Sequence, residues 1–287
     1  MQLVSPIIAL TIIAALIFPA KSHELWISPE KYLVSSDEPI TAHIRIGERF
    51  EGPSYPFVEM NFNRFEIAGG SQTEAVTGRI GDSPALNQKA GQPGLNVIVY
   101  ETTANFVTYS DFEKFRNFVT HKGYPGIIDR HNQLGLPQTG FKERYFRYAK
   151  SLVGVENGAG EDREFGLETE IVVLKNPYSS DLSNSLPVQI FYQGEPRTNA
   201  QVEVFERALV TNDANRKETE NGVKISVYQA DSDGKATIPV RQGHEYLIDS
   251  VIIRPVIPTE DKEKGSNSPV WESLWASMTL EIPLADQ

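Results

Sequence analysis

The sequence predicts a mainly β protein made of two antiparallel β-sandwich domains, the second immunoglobulin-like, with one short helix in the first. Three observations carry that expectation. Short apolar runs that alternate or stop at Gly/Pro turns fill most of the chain; one stretch near 111–122 has its apolar residues at helical spacing; and a polar, Gly-rich segment, Asn157 to Glu164, separates two groups of strands. The expected limits are 1–22 for a leader, 23–160 for the first sandwich and 161–287 for the second.

Taken in order, the chain opens with a 12-residue apolar block, Ile7 to Phe18, followed by Pro19 and by the small residues Ala20 and Ser22. Small residues at that spacing are what a signal peptidase accepts, so cleavage after Ser22 is expected. The block is shorter than the roughly 20 apolar residues that cross a bilayer, and no second candidate follows. A periplasmic or secreted protein without a membrane span is the expectation.

Beyond it, Ile40 to Ile46 alternates, Phe57 to Ile67 follows a Pro-rich turn, and Leu95 to Glu101 follows the breaker Gly91-Gln92-Pro93-Gly94. Ser110-Asp111-Phe112-Glu113 reads as a capping box, and Phe112, Phe115, Phe118 and Val119 then recur at helical spacing until Gly123. The spacing predicts a helix from Asp111 to Lys122 with an aromatic stripe packed on the sandwich. Phe141 to Val155 reads equally as a basic helix or as an edge strand carrying Arg and Lys. After the Gly-rich segment, six runs return to strand pattern: Leu167 to Leu174, Leu186 to Tyr192, Ala200 to Glu206, Lys224 to Gln229, Lys235 to Val240 and Tyr246 to Pro255. That is about the strand count of an immunoglobulin-like sandwich. Thr259 to Ser268 reads as a charged loop.

Composition narrows function. The formal charge is −11, and −12 once Lys21 leaves with the leader, which argues against nucleic acid and anionic membrane as partners. With no cysteine there is no disulfide, thiolate metal site or cysteine nucleophile, so any metal must be held by nitrogen or oxygen. No GxSxG, P-loop or dinucleotide fingerprint occurs. Asp231-Ser232-Asp233-Gly234 resembles the start of an EF-hand loop, but its closing Glu is missing and its flanks are strands, so a β-turn is expected. Trp26, Trp271 and Trp275 suit a sugar site, yet Trp271 and Trp275 read better as anchors of the last strand.

The remaining signal is histidine. Cleavage after Ser22 would give His23 both an imidazole and a free α-amine, two nitrogens that chelate one Cu, Ni or Co ion; a second histidine would complete a histidine brace. The amine ordinarily titrates near pH 8, so the metal must displace its proton. The competing reading is a solvated terminus. His43 and His244 are the candidates for the second nitrogen, His43 from the outward side of a strand and His244 from just before one. His121 ends the expected helix, where a cation suits the helix dipole, and His131 falls in an expected Gly-rich loop.

Several motifs together resemble the secreted bacterial family of domain of unknown function 4198. They are His23-Glu24-Leu25-Trp26, Ile46-Gly47-Glu48-Arg49-Phe50, Arg144-Tyr145 with Arg147-Tyr148-Ala149-Lys150, Glu168 through Asn176-Pro177-Tyr178, the Gly194-Glu195-Pro196 turn, Asp231-x-Asp233-Gly234, and the tail from Trp271 to Ser277. The resemblance implies two β-rich domains, the second like the transthyretin-type or Cna-B-type sandwiches, a periplasmic home, and a role in cobalt or nickel uptake that rests on association. The leading expectation is therefore a periplasmic binding or delivery protein for a divalent transition metal (Co, Ni or Cu), with His23 as chelating ligand, His244 or His43 beside it, and an inner- or outer-membrane transporter as partner. The alternatives are a carbohydrate-binding or structural envelope module without metal, and a copper mono-oxygenase using the same brace.

Overall fold

The computed structural model describes residues 23–90, 92–209, 222–256 and 268–284. The expected leader and most of the charged loop after Thr259 lie outside them. In chain order the strands of the first half are β1 (Glu24–Pro29), β2 (Leu33–Val34), β3 (Pro39–Gly47), β4 (Ser54–Tyr55), β5 (Phe62–Gly69), β6 (Gln72–Ala75), β7 (Leu86–Lys89), β8 (Gly94–Thr102) and β9 (Asn105–Tyr109). Helices α1 (Phe112–His121) and α2 (Gly126–Gln133) follow, then the long β10 (Phe141–Val155). The second half holds β11 (Thr169–Val173), β12 (Ser185–Tyr192), β13 (Glu195–Pro196), β14 (Gln201–Ala208), β15 (Val223–Gln229), β16 (Lys235–Pro239), β17 (His244–Pro255) and β18 (Pro269–Ile282).

These strands make three sheets. A central ten-stranded sheet runs β15-β14-β17-β18-β10-β8-β5-β6, with β2 and β9 also paired to β10. A front sheet joins β1, β3, β4 and β7, and a back sheet joins β11, β12, β13 and β16. Side chains alternate across a strand, and the two cores obey that parity. Val97, Val99, Leu152, Leu274 and Met278 point to the back sheet with Ile171, Val188 and Ile238. Ile98, Tyr100, Ala149 and Val153 point the other way, to the front sheet with Ile27, Ile40 and Ile44. The central sheet is thus a shared wall of two sandwiches, and it draws strands from both sides of the segment expected to divide the chain.

The rest of the front face is closed by the helices. Phe115, Phe118 and Val119 of α1 and Ile127 of α2 pack on Val251, Ile253, Trp271 and Trp275. Burying aromatic side chains of this size contributes roughly 1.5–3 kcal/mol each. The aromatic stripe is as expected, but the cap is one residue later than the capping box implies: Asp111 accepts from the Glu113 N–H. A second helix appears where one was expected in all, and it carries His131, which was expected in a loop. Phe141 to Val155 is a strand, and it pairs in parallel with β18 and β2, so the central sheet is mixed. Asp231 to Gly234 is a plain turn: the Asp231 carboxylate accepts from the N–H groups of Asp233 and Lys235. Gly234 has φ +71, and a Cβ there would meet Ile190 O at 2.8 Å.

Candidate functional site

Strand β1 lies along β18 on the front face, where the hydroxyls of Ser277 and Thr279 donate to the carbonyls of Leu25 and Ile27 at 2.7 and 2.6 Å. Leu25 and Ile27 enter the front core, so alternation sends Glu24 and Trp26 toward β14 and β17. Trp26 packs there with Phe205 and Leu247. Two residues along each strand, Glu203 faces Asp249 across the β14/β17 pair, and Glu24 joins them. The three carboxylates are buried, with oxygens within 4.8 Å of one another.

Helix α1 supplies the counter-charge. Gly123, at φ +83, turns the chain back after the helix, and the Lys122 ammonium descends among the acids, donating to Glu203 at 2.8 Å, Asp249 at 2.9 Å and Glu24 at 3.3 Å. The Trp275 ring lies 5.0 Å from the same nitrogen. Above the cluster, His121 Nε2 donates to Glu203 Oε1 at 3.2 Å, with 61% of its side chain exposed. Beside it, the Arg147 guanidinium donates to the carbonyl of exposed His23 at 3.0 Å.

Three acids around one lysine cannot all ionise easily. Burial pushes the Glu24 carboxyl up to about 7 against the pull of Lys122, with Asp249 and Glu203 adding to the rise. Burial likewise raises Asp249. Burial also works on Glu203, but its hydrogen bond from His121 and the Lys122 charge hold it down to about 2. That hydrogen bond raises the His121 pKa in turn. For Lys122, burial opposes the ammonium, yet the charges of Asp249, Glu24 and Glu203 keep its pKa above the usual lysine value.

The histidines named from sequence lie at separate places. His43 sits on β3 opposite Ser28, its ring bonded to Ser54 Oγ at 2.9 Å and Glu30 Oε1 at 3.2 Å. His244 opens β17 opposite Ile282, its Nδ1 2.8 Å from Gln242 O. Because Leu25 is level with Ser277, a rise of about 3.3 Å per residue puts His43 roughly 16 Å and His244 roughly 23 Å along the strands from His23. Neither is brought to His23. His131 is fully buried and neutral, since Nδ1 accepts from the Trp271 indole and Nε2 donates to Pro137 O, both at 3.0 Å. The three tryptophans are all buried, so Trp271 and Trp275 anchor β18 as read and line no sugar site.

The histidine that shares this end of the molecule is His121. Co, Ni and Cu suit imidazole nitrogen, whereas the buried triad offers only oxygens and already surrounds an internal cation. The triad therefore does not fit such an ion. The sequence did hold a signal for the cluster, an acid set within an apolar strand: Glu24 before Leu25-Trp26-Ile27, Glu203 between Val202 and Val204, Asp249 beside Ile248.

Comparison with known proteins adds the lineage. No curated protein matches the sequence. Among solved structures, the chain is similar to the D0-D1 domain of Intimin, at 11% identity with a TM-score of 0.19, covering 89% of this chain and 97% of that one. A family model described as Domain of unknown function (DUF4198) matches residues 20–254. That match takes in every residue of the lysine cluster, and the chain belongs to the DUF4198 family.

Proposed function

We propose that the protein is an exported binding or delivery protein for a divalent transition metal (Co, Ni or Cu), with His23 as the principal ligand and a membrane transporter as recipient. The observation that supports this reading is the sharing of one rim by two histidines. His23 is exposed and directly precedes Glu24, while His121 stands on Glu203, and both acids hold the same buried lysine. A chain cut after Ser22 offers amine and imidazole at His23. His121, its Nε2–H taken by Glu203, keeps Nδ1 for a metal, and a carboxylate on the far nitrogen is the usual way a ligand histidine is oriented. In this reading His121 replaces His43 and His244 as the second imidazole.

The test is to purify the exported protein, establish its first residue by intact mass, and titrate it with Cu, Ni and Co. The expected result is a chain starting at His23 that binds one ion, with affinity lost in His23→Ala, reduced roughly 10–100-fold in Glu203→Gln as for other such supporting carboxylates, reduced in His121→Ala, and unchanged in His43→Ala and His244→Ala. A His23→Ala protein that binds as tightly as the parent overturns the reading.

A second reading, glycan binding without metal, is favoured by one specific feature. Phe106 is 56% exposed on β9, opposite Arg144 of β10, whose guanidinium lies over the Phe146 ring at 5.7 Å. An aromatic and guanidinium row of this kind offers stacking faces to a sugar ring. Retention on a glycan array that is lost in Phe106→Ala would support it.

A further inference from the structure

Strand β15 forms one edge of the central sheet, and among the described residues no strand pairs with its outer side. Open edges are commonly blunted by shortness, charge or proline. The other end of this sheet is protected in that way, since β6 has four exposed residues with Glu74 among them. In the back sheet, β13 has two residues and ends in Pro196, while β16 runs from Lys235 to Pro239. Strand β15 has none of these devices. It runs seven residues, VKISVYQ, without proline, and its single charge, Lys224, is drawn back to Glu206 of β14 at 3.6 Å.

The register fixes what this edge presents. Ala230 N–H donates to Ala200 O at 2.9 Å, one step beyond the pairing of Gln201 with Gln229. Bonding direction alternates along an antiparallel strand, so Ser226 and Tyr228 turn their backbone groups to β14, whereas Ile225, Val227 and Gln229 turn theirs to the open side. Side chains alternate too. Ile225 packs at the margin of the Trp26, Phe205 and Leu247 cluster on the front face. Val227 lies on that face opposite Glu203 and is 57% exposed. Lys224, Ser226 and Tyr228 occupy the back face.

We propose that this edge pairs antiparallel with the same edge of a second copy of the chain, about a two-fold axis at Ser226, so that the two central sheets become one. In that register each Val227 lies opposite Ile225 of the second copy, and the outward N–H and C=O groups of both residues are satisfied. On the back face Lys224 lies opposite Tyr228 of the second copy, and Ser226 faces its own equivalent. No like charges stand directly opposite, an arrangement that would be unfavourable across strands. Every contact occurs twice, which is the self-complementarity that an isologous two-fold interface requires; it selects a second copy over an unrelated extended peptide. Seven residues a side is well below the roughly 20–30 of a standard interface, so association is reversible and depends on concentration.

The proposal is independent of metal binding, and the absence of cysteine from the sequence suits it to cross-linking. Sedimentation of the full exported protein from about 1 to 500 μM, a range that spans micromolar dissociation constants, should show the mass rising toward that of a dimer. Val227→Pro removes an outward N–H and leaves the ladder to β14 intact, so it should keep the protein monomeric. Val227→Lys leaves the backbone unchanged, sets a charge in each apolar row and should do the same. Ser226→Cys should form a disulfide-linked dimer on mild oxidation, because facing non-bonded residues of antiparallel strands have Cα atoms about 4.5 Å apart. Lys224→Cys should not link, since its equivalents stand roughly 13 Å apart along the strands. A protein that stays monomeric at every concentration overturns the dimer. A dimer that survives both Val227 variants overturns the edge as its contact, and linkage through Lys224→Cys in preference to Ser226→Cys overturns the register.

Discussion

Lys122 and Lys150 are both sunk beside acidic side chains, on opposite faces of the same sheet, yet their surroundings differ in kind. Lys122 is shared among Glu24, Glu203 and Asp249 from three strands, one oxygen each, and it fastens β1 and the helical segment to the second half of the chain. Lys150 meets both oxygens of Asp162, each of which also accepts a backbone N–H, and one oxygen of Glu170. Burial alone therefore does not decide what a lysine does. What differs between the two is how many carboxylates share the ammonium and how each is engaged.

The largest test of that contrast is loss of each cation. Lys122→Met leaves three buried carboxylates without counter-charge and should lower unfolding free energy by about 3–5 kcal/mol at neutral pH, read by denaturant titration. Lys150→Met leaves two acids that retain backbone N–H partners and should cost less. Equal losses would erase the distinction. A second test is pH. Glu24 and the buried Glu143 both sit near 7 in the folded protein against 4.5 ordinarily. Carboxyls raised in this way favour the folded state while protonated, so stability should fall as pH rises from about 4.5 to 7. Glu203, held near 2, acts in the opposite sense: its contribution is lost as pH falls below about 4.5. Maximum stability is expected near pH 4.5. Glu143→Gln should flatten the loss above it by roughly 3 kcal/mol. If the profile is unchanged in that variant, Glu143 does not titrate in the window.

Smaller effects probe the neutral contacts around these charges. Tyr109 donates to Glu143 Oε2 at 2.6 Å, so Tyr109→Phe should cost about 1–3 kcal/mol. The cap of α1, which positions Lys122 from its other end, should be worth about 1 kcal/mol in Asp111→Ala, measured by thermal unfolding.

What could be read from the sequence follows from exposure. Strands with one wet face, such as β3 with Ile40, Ala42 and Ile44 inward, alternate visibly. So does the aromatic stripe of α1, and Gly123 marks its end. Strand β10 is buried on both faces over much of its length, so alternation gives no clue there, and its Arg and Lys residues imitate a basic helix. Helix α2 spans only 8 residues and shows barely two turns of period. Of the proposed ligands, only His23 was singled out from the sequence, by its place after the expected cleavage point. Lys122 and Asp249 are 127 residues apart, and nothing local in either neighbourhood announces that they meet; His121 looked like an ordinary helix terminus for the same reason.

The parallel seam between β10 and β18, running from Lys142 opposite Pro269 to Ser151 opposite Thr279, has a consequence for when the molecule can exist at all. Strand β18 follows every other strand among the described residues, and it is the piece that joins β17 to β10 in the central wall. Until it emerges, β10 lacks its main neighbour and Leu25 and Ile27 lack the hydroxyls that hold β1. Contacts this distant in sequence form slowly, so completion of the central wall is expected late, after β18 has been made.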